Sequence, residues 1–416
     1  MAQAAEWLGI APDHPFGIAA LPYGSFTTAQ HAEEYRVGVA VGDSVLDLTT
    51  ATERLMAGRA HLFESGSLDD FLAAGERAWA QVRAELTRWL SEDRCRTAIE
   101  DLLIPHDAVS LRMPFTVGDY VDFYASAQHA INLGRILRPG GEPLTANWRH
   151  QPLGYHGRAG TIVVSGTRVR RPGGPSCFTP GMHQPEFCAS SRLDFEAELG
   201  FVVGVHSHLG DPIPVDRFAE HVFGAVLVND WSARDIQSYE TVPLGPFLGK
   251  SFATSISPWI LPLAALQHAR VRPRSRDAKL MYYLAETADW GLDIDFEVRL
   301  NGHVISRPPY ATMYWSPAQM LAHMTVNGAS TRSGDLYASG TVSGPEPAQS
   351  GSLIELAWNA SNPISLPDGS SRSWLEDRDE VTIAATAPGP DGVRIGLGSV
   401  TGRILPAVRE SAEGPY

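Results

Sequence analysis

Short apolar runs separated by glycine- and proline-rich loops dominate the chain from residue 113 onward. The runs occupy residues 161–165, 195–203, 222–228, 296–300, 352–358, 380–384 and 394–397. Apolar runs of this length, bounded by turn residues, are typical of buried strands. Helical periodicity is clear in this part only over 316–324, which disfavours regular βαβ winding. The pattern therefore predicts a mainly β domain with some α, built as a roll or distorted barrel, over 113–416.

Residues 1–112 have the pattern of a smaller, separate unit. Alternating valines over 37–41, a Gly-Asp turn and a second apolar stretch over 45–48 predict a β-hairpin. Apolar residues at helical spacing over 67–89 predict one long amphipathic helix whose stripe packs into the core. Nothing in this unit suggests chemistry.

Composition excludes several classes of protein. The chain of 416 residues is long enough for two or three domains, and its formal net charge of −14 argues against a nucleic-acid partner. Three cysteines without C-x-x-C spacing offer neither a thiolate zinc site nor a disulfide-rich framework. The N-terminus lacks signal-peptide features, and no apolar run is long enough to cross a membrane. We therefore expect a cytoplasmic protein with no membrane partner.

Four acidic residues are candidate ligands for a metal ion. Alternation along the stretch LDFEAELGFVVG predicts that Asp194, Glu196 and Glu198 share one face, with Glu196 and Glu198 about 7 Å apart. Asp122 and Asp230 could add two more carboxylates, and all-oxygen ligation favours Mg²⁺ or Ca²⁺ over zinc. The spacing alone leaves open a solvated acidic strand face, and it does not establish that the four carboxylates meet.

The stretch VFGAVLVNDWSARDIQSYETVPLGPFLGKS places several polar groups after one strand. The strand presents Asp230 at its end, and Ser232 is then expected to cap a helical turn that carries Arg234 and Gln237 on one face. Lys250 follows a Pro- and Gly-rich segment. Acid beside base at a strand end suits a catalytic site, although a surface salt-bridge turn remains the alternative from this stretch alone.

Several longer motifs resemble the fumarylacetoacetate hydrolase family. They are GDYVDFYASAQHA, QPLGYHGRAGTIVVSGT, LDFEAELGFVVG, VNDWSARDIQ, VPLGPFLGKSF, LYASGTVSGPEP and RIGLGSVTGRILPA, with LPYGSF and RVGVAVGDSVLDL near the N-terminus. The resemblance implies an SH3-like domain over 1–112, a catalytic β-roll domain over 113–416, and a homodimer. It implies hydrolysis of the carbon–carbon bond of 4-fumarylacetoacetate, a small diketo acid, at the end of tyrosine and phenylalanine breakdown. The alternatives are a related β-diketone or acylpyruvate hydrolase or decarboxylase on the same fold, and a non-catalytic metal-binding protein.

The resemblance also implies a role for individual residues. The cation, Mg²⁺ or Ca²⁺, would be held by Asp122, Glu196, Glu198 and Asp230, with Lys250 and Thr254 beside it or at a second metal. His129 would be the general base, oriented by Glu355, and the oxyanion hole would comprise Arg234, Gln237 and Lys250. The substrate would be held by Tyr124, Arg138, Tyr155 and Thr341.

Overall fold

The computed structural model describes residues 4–177, 185–276, 278–286 and 288–408. Its N-terminal unit is built on a five-stranded antiparallel sheet of order β4-β3-β2-β1-β5. Its strands are β1 Tyr23–Thr28, β2 His31–Val41, β3 Ser44–Asp47, β4 Leu103–Pro105 and β5 Val109–Arg112, and its helices are α1 Leu48–Leu55, α2 Asp69–Ala73, α3 Glu76–Ser91 and α4 Arg96–Ile99. The predicted hairpin is confirmed as β2 and β3, which pair antiparallel with Val39 opposite Leu46.

The single long helix predicted over 67–89 is wrong, because a glycine divides it. Gly75 has φ +80°, in the left-handed region, and separates α2 from α3. Most residues with a side chain are strained at such an angle, whereas glycine adopts it readily. The apolar stripe continues across the break, since Phe71, Leu72, Trp79 and Val82 are all buried. Periodicity therefore identified the buried face but not the change in chain direction.

The rest of the chain adds twenty-one strands and six α-helices among the described residues. The strands are β6 Tyr120–Phe123, β7 Gly154–His156, β8 Ile162–Val164, β9 Val169–Arg170, β10 Gly173–Cys177, β11 Glu186–Ala189, β12 Leu193–Asp194, β13 Ala197–Val203, β14 Val222–Asp230, β15 Ser232–Ala233, β16 Thr254–Ile256, β17 Leu261–Pro262, β18 Arg270–Val271, β19 Gly291–Leu292, β20 Asp295–Leu300, β21 His303–Ser306, β22 Leu336–Ala338, β23 Ile364–Ser365, β24 Ser371–Arg372, β25 Glu380–Pro388 and β26 Arg394–Leu405. The helices are α5 Ala127–Leu137, α6 Phe218–His221, α7 Arg234–Glu240, α8 Leu248–Ser251, α9 Pro317–Thr325 and α10 Leu353–Leu356.

A central eight-stranded sheet, of order β7-β6-β22-β13-β14-β16-β8 with β17 on β14, organises these elements. Its two faces bury different cores because side chains alternate along each strand. On β14, Ala225 and Leu227 join a core shared with the second large sheet, of order β21-β20-β25-β26-β9. Val226 and Val228 instead join the core of the N-terminal unit. The central sheet thus lies between the N-terminal unit and the second sheet.

Six of the seven apolar runs predicted as strands are confirmed, and several helices, α5 among them, were not predicted. The run 352–358 is the short helix α10 and its following turn rather than a strand. Helix α5 was missed, although Ser126 caps it by accepting a hydrogen bond from the His129 backbone N–H. Ser232 does not cap α7, because it lies in β15 and its hydroxyl donates to the Asp230 carbonyl. The predicted helix over 316–324 is confirmed as α9, with a capping box between Ser316 and Gln319.

Two further features bear on the sequence expectations. Among the described residues, no helix is both long enough and apolar enough to span a bilayer. Cys188, in β11, is disulfide-bonded, a bond that the cysteine spacing did not lead us to expect. Cys95 is a buried free thiol.

An aromatic cluster joins the N-terminal unit to the central sheet. Phe223, near the start of β14, has its ring 5.5 Å from that of Tyr23, 5.4 Å from Phe71 and 5.3 Å from Trp79. We predict that Phe223→Ala lowers the free energy of unfolding by about 3–5 kcal/mol, through lost burial and the cavity left behind. Denaturant titration followed by tryptophan fluorescence measures this change. Phe187→Ala, at a ring that is 66% exposed, is the matched control and should have little effect.

Candidate active site

Four carboxylates meet at one end of the central sheet. Asp122, Glu196, Glu198 and Asp230 each offer an oxygen, and these atoms all lie within 4.8 Å of one another. Strand register explains the meeting: Asp122 is opposite Ala338 on β22, and Glu198 is opposite Val228 on β14. Alternation places these carboxylates on the sheet face that packs against the N-terminal unit. The predicted acidic set is therefore brought together, with all four side chains buried.

The cluster has the electrostatics of a cation site. Asp122 Oδ1 and both carboxylate oxygens of Glu198 are buried and find no hydrogen-bond partner in the part of the chain that the structure describes. Burial, reinforced by the neighbouring carboxylates, raises the pKa of both Asp122 and Glu198 well above the usual range. Unsatisfied buried oxygens of this kind are costly unless a proton or a cation lies between them. A cluster of this composition fits a divalent cation with oxygen ligands.

Lys250 and Thr254 donate hydrogen bonds to carboxylates of this cluster. The Lys250 ammonium donates to Asp230 Oδ2 at 2.8 Å and also to Glu196 Oε2, while the Thr254 hydroxyl donates to Asp230 Oδ1 at 2.7 Å. Burial alone would lower the pKa of Lys250, but Asp230 and Glu196 raise it above the usual range. Burial would likewise raise the pKa of Glu196, but Lys250 and Arg234 hold it well below normal. Lys250 is thus a buried ammonium that is charged at neutral pH.

His129 and Glu355 form a buried pair beside the cluster. The imidazole Nδ1 lies 2.7 Å from Glu355 Oε2, and Nε2 lies 4.0 Å from Glu196 Oε1. Burial would raise the pKa of Glu355, but His129 and the surrounding donors lower it. An ionised carboxylate can only accept, so Nδ1 carries a proton toward Glu355, and Nε2 faces the acidic cluster. This is the geometry of an oriented general base.

Three residues that we did not predict hold Glu355 in place. Asn132 Nδ2 donates to Glu355 Oε1 at 2.9 Å, and the Ser343 and Ser352 hydroxyls donate to Oε2 at 3.0 and 2.7 Å. Asn132 lies one helical turn after His129 on α5, so recognition of that helix would have placed both side chains on one face. No local sequence signal connects Ser343 or Ser352 with the histidine.

Arg234 lies between two carboxylates and next to Gln237. Its Nη2 donates to Glu196 Oε1 at 2.7 Å, its Nε to Asp194 Oδ2 at 2.8 Å, and its Nη1 to Gln237 Oε1 at 3.1 Å. Asp194 does not share the cation cluster, contrary to the alternation argument, because the strand breaks between β12 and β13. Its carboxylate instead faces Arg234.

The predicted substrate residues are distributed more widely. The Tyr124 ring is edge-on to His129 at 5.2 Å, and the Tyr155 hydroxyl donates to Asp230 Oδ2 at 3.2 Å. Thr341 is buried, and its hydroxyl has no hydrogen-bond partner within the described residues. Arg138 is exposed at the end of α5, where its guanidinium donates to the Pro143 carbonyl. The structure therefore brings Tyr124 to His129 and Tyr155 to Asp230, and it leaves Arg138 exposed at the end of α5.

A cavity of about 90 Å³ reaches the cluster from one side. Tyr120, Tyr155, Asp230, Phe247 and Lys250 contribute to its lining. A small molecule that enters here meets the buried ammonium and the carboxylates together.

Comparisons with known proteins agree with this geometry. A family model described as fumarylacetoacetate hydrolase C-terminal matches residues 119–405, and one described as fumarylacetoacetase N-terminal matches residues 19–114. Fumarylacetoacetase of Rattus norvegicus is 42% identical, over 97% of this chain and 99% of its own length. The fumarylacetoacetases of Homo sapiens and Arabidopsis thaliana are each 42% identical over 98% of this chain and their full lengths.

Solved structures show the same fold at much lower identity. Fumarylacetoacetate hydrolase from Exiguobacterium antarcticum aligns with a TM-score of 0.54 at 16% identity, over 93% of this chain and 99% of its own. Maleylpyruvate hydrolase from Sphingobium sp. SYK-6, in complex with manganese(II) ion and pyruvate, aligns with a TM-score of 0.52 at 14% identity, over 93% and 100%. The two family models together match most of the chain, and the protein belongs to the fumarylacetoacetate hydrolase family.

Proposed function

We propose that this protein hydrolyses 4-fumarylacetoacetate to fumarate and acetoacetate, the last step of tyrosine and phenylalanine catabolism. The observation that carries the proposal is the buried His129–Glu355 pair, whose free Nε2 faces four carboxylates able to hold a cation. Identity of 42% to fumarylacetoacetases over nearly the whole chain supports the substrate. Hydrolysis of this bond needs a base for water, stabilisation of a tetrahedral alkoxide, and stabilisation of the departing carbanion.

The base is His129. Its Nε2 takes a proton from water, and Glu355 at Nδ1 fixes the tautomer and stabilises the imidazolium that forms. Asn132 and Ser352 keep the Glu355 carboxylate from rotating away. Full burial of the pair excludes competing solvent contacts. The orientation of the base is therefore set before substrate arrives.

The cation is Mg²⁺ or Ca²⁺, held by Asp122, Glu196, Glu198 and Asp230, with Lys250 and Thr254 as neighbours of these ligands. When bound, a divalent cation supplies Lewis-acid stabilisation to oxygen atoms that become negatively charged. The all-oxygen, fully buried ligand set supports a hard cation. Lys250 Nζ and Thr254 Oγ1 already contact Asp230, which supports a role beside the cation rather than at a second one.

The oxyanion hole comprises Arg234, Gln237 and Lys250. Because Gln237 Oε1 accepts from Arg234, the Gln237 amide nitrogen is left to donate to a developing alkoxide. Preorganised donors of this kind contribute about 3 kcal/mol each to transition-state stabilisation. The Lys250 ammonium also carries protons that can be passed to the departing acetoacetate carbon.

The substrate is held by Tyr124, Tyr155, Thr341 and Arg138. The unpartnered Thr341 hydroxyl and the Tyr124 ring against His129 support contacts near the reacting carbon. Arg138 is exposed at the end of α5, and its guanidinium suits a terminal carboxylate of the diketo acid.

We also propose the finer architecture and assembly. An SH3-like domain over 1–112 is supported by five short antiparallel strands, and a β-roll over 113–416 by two large sheets packed through one core. A homodimer is supported by exposed apolar side chains at Val242, Leu244 and Phe247. A cytoplasmic location stays a prediction, and the disulfide at Cys188 argues against it.

The substrate assay tests the function directly. We expect the purified protein with Mg²⁺ or Ca²⁺ to consume fumarylacetoacetate, followed as loss of the diketone absorbance, and to release fumarate and acetoacetate in equal amounts. Acylpyruvates and simple β-diketones serve as the competing substrates. Turnover of acylpyruvates with none of fumarylacetoacetate would instead assign a related hydrolase or decarboxylase.

A further inference from the structure

Asp194 is a fully buried carboxylate outside the cation cluster that bonds to two parts of the site at once. Toward Arg234, its Oδ2 accepts from Nε at 2.8 Å and lies 2.8 Å from Nη2. Toward α10, its Oδ1 accepts from the Leu353 backbone N–H at 2.7 Å, and its Oδ2 from the Ile354 N–H at 3.2 Å. Glu355 is the next residue of that helix. One side chain thus contacts both the proposed oxyanion donor and the helix that orients the proposed base.

We infer that Asp194 is a positioning residue, which fixes the Arg234 guanidinium and the Glu355 helix relative to each other. The inference rests on the proposed function, because it assigns these two groups their roles in hydrolysis. Asp194 does not itself face the reacting atoms.

The placement of charge explains why Arg234 needs this second carboxylate. Glu196 Oε1 lies 2.7 Å from Nη2, while Asp194 Oδ2 lies 2.8 Å from the same nitrogen and also accepts from Nε at 2.8 Å. Without Asp194, every remaining carboxylate in contact with Arg234 among the described residues belongs to the cation cluster. The guanidinium would then shift toward that cluster and away from Gln237. Asp194 therefore keeps the guanidinium at the position from which it can donate to an oxyanion.

Asp194 also accepts hydrogen bonds from two backbone N–H groups at the start of α10. The first N–H groups of a helix have no partner within the helix, and here a carboxylate from β12 satisfies two of them. Strand pairing supports the same junction, since Glu196 is bridged to Ser352 and the Ala197 N–H donates to the Gly351 carbonyl. Removal of the Asp194 charge weakens the hydrogen bonds at the start of α10, the helix that carries Glu355.

The test is Asp194→Asn in the cation-loaded protein. We expect kcat to fall about 100-fold, the size of effect seen when one oxyanion donor is lost. KM should stay within about threefold, because the interaction is made mainly in the transition state. A phosphinate that mimics the tetrahedral intermediate should bind far more weakly to the variant, while acetoacetate binds nearly as before. A purely structural role would weaken both ligands together.

A double-variant cycle tests whether Asp194 acts through Arg234. In an Arg234→Met background, Asp194→Asn should cost at least about tenfold less than it does in the wild type, because the group it positions is already gone. Equal costs in the two backgrounds would overturn the inference. Asp194→Ser, which keeps an oxygen acceptor for the backbone N–H groups, replaces Asp194→Asn if that variant does not fold.

Asp379 provides the matched control. It is buried, accepts from Arg372 Nε at 2.9 Å and Nη2 at 3.0 Å, and also accepts from the Glu376 backbone N–H. Asp379→Asn should lower the melting temperature much as Asp194→Asn does, yet leave kcat near the wild-type value. An equal loss of kcat in both variants would overturn the inference. If the wild type does not turn over fumarylacetoacetate, the proposed function is wrong. The role of Asp194 is still tested in that case, because calorimetry compares phosphinate binding to the wild type and to Asp194→Asn.

Discussion

Without a divalent cation, the protein is expected to lose turnover by at least about 10²-fold and to become less stable as the pH rises from 5 to 8. Burial raises the pKa of Asp122 and Glu198 well above normal, with the neighbouring carboxylates adding to the effect. In the metal-free folded state these groups therefore keep protons that the unfolded chain releases. The protonated groups stabilise the fold fully below about pH 4.5, where a glutamate in the unfolded chain titrates. This stabilisation is lost as the pH rises from there toward the raised pKa of the folded state. Glu196 has a lowered pKa, so the stability that its ionised form contributes is lost only at pH values below 4.5, outside the range from pH 5 to 8.

A melting-temperature series in chelator and in Mg²⁺ or Ca²⁺ measures this effect. The cation binds ionised carboxylates, so the gain in melting temperature on adding it should grow with pH. Glu198→Gln is the informative variant: it should be less pH-sensitive than the wild type in chelator, gain little from the cation, and lose turnover. Equal wild-type melting temperatures at pH 5 and 8 in chelator, with turnover retained, would contradict the cation site.

Replacement of His129 by alanine is expected to lower kcat by about 10³-fold with little change in KM, because the base acts on water rather than on substrate binding. Stopped-assay turnover at saturating substrate measures the effect. Glu355→Gln should cost less, since the imidazole remains but its tautomer is no longer fixed. His206→Ala, at an exposed histidine, is the control and should leave turnover unchanged. A His129→Ala variant that folds and retains a tenth of wild-type turnover would remove His129 as the base.

The acidic site was predictable in part because Asp122, Glu198 and Asp230 lie on strands and Glu196 directly precedes one. Period-two alternation put Glu196 and Glu198 on one face, and the apolar run before Asp230 identified the strand that presents it. That the four carboxylates meet followed only from the family resemblance, since strand order is not encoded in local pattern. The pairing of β13 with β14 and of β6 with β22 brings them together.

What the sequence did not predict depends on contacts between distant segments. Asp194 falls in the alternating pattern of the acidic face, yet a break in the strand turns it toward Arg234 and α10. The α10 run has the length and apolar content of a strand, and only tertiary contacts decide that it is helical. Gly75 similarly divides a helix whose periodicity runs on unbroken. At Asp194 and α10, contacts across the fold override the local signal, whereas at Gly75 a single glycine changes the chain direction.

Strand β14 carries Phe223 near its first residue and Asp230 at its last, about 23 Å away along an extended chain. One end packs into the aromatic cluster of the N-terminal unit, and the other end lies in the acidic cluster. Ligand binding and docking of the unit then act on the same rigid strand, so their free energies are coupled, and the coupling is reciprocal. If docking of the N-terminal unit strengthens cation binding by some factor, cation binding strengthens docking of the unit by the same factor. The N-terminal unit contributes none of the proposed ligands, yet we expect variants that loosen it to bind the cation more weakly.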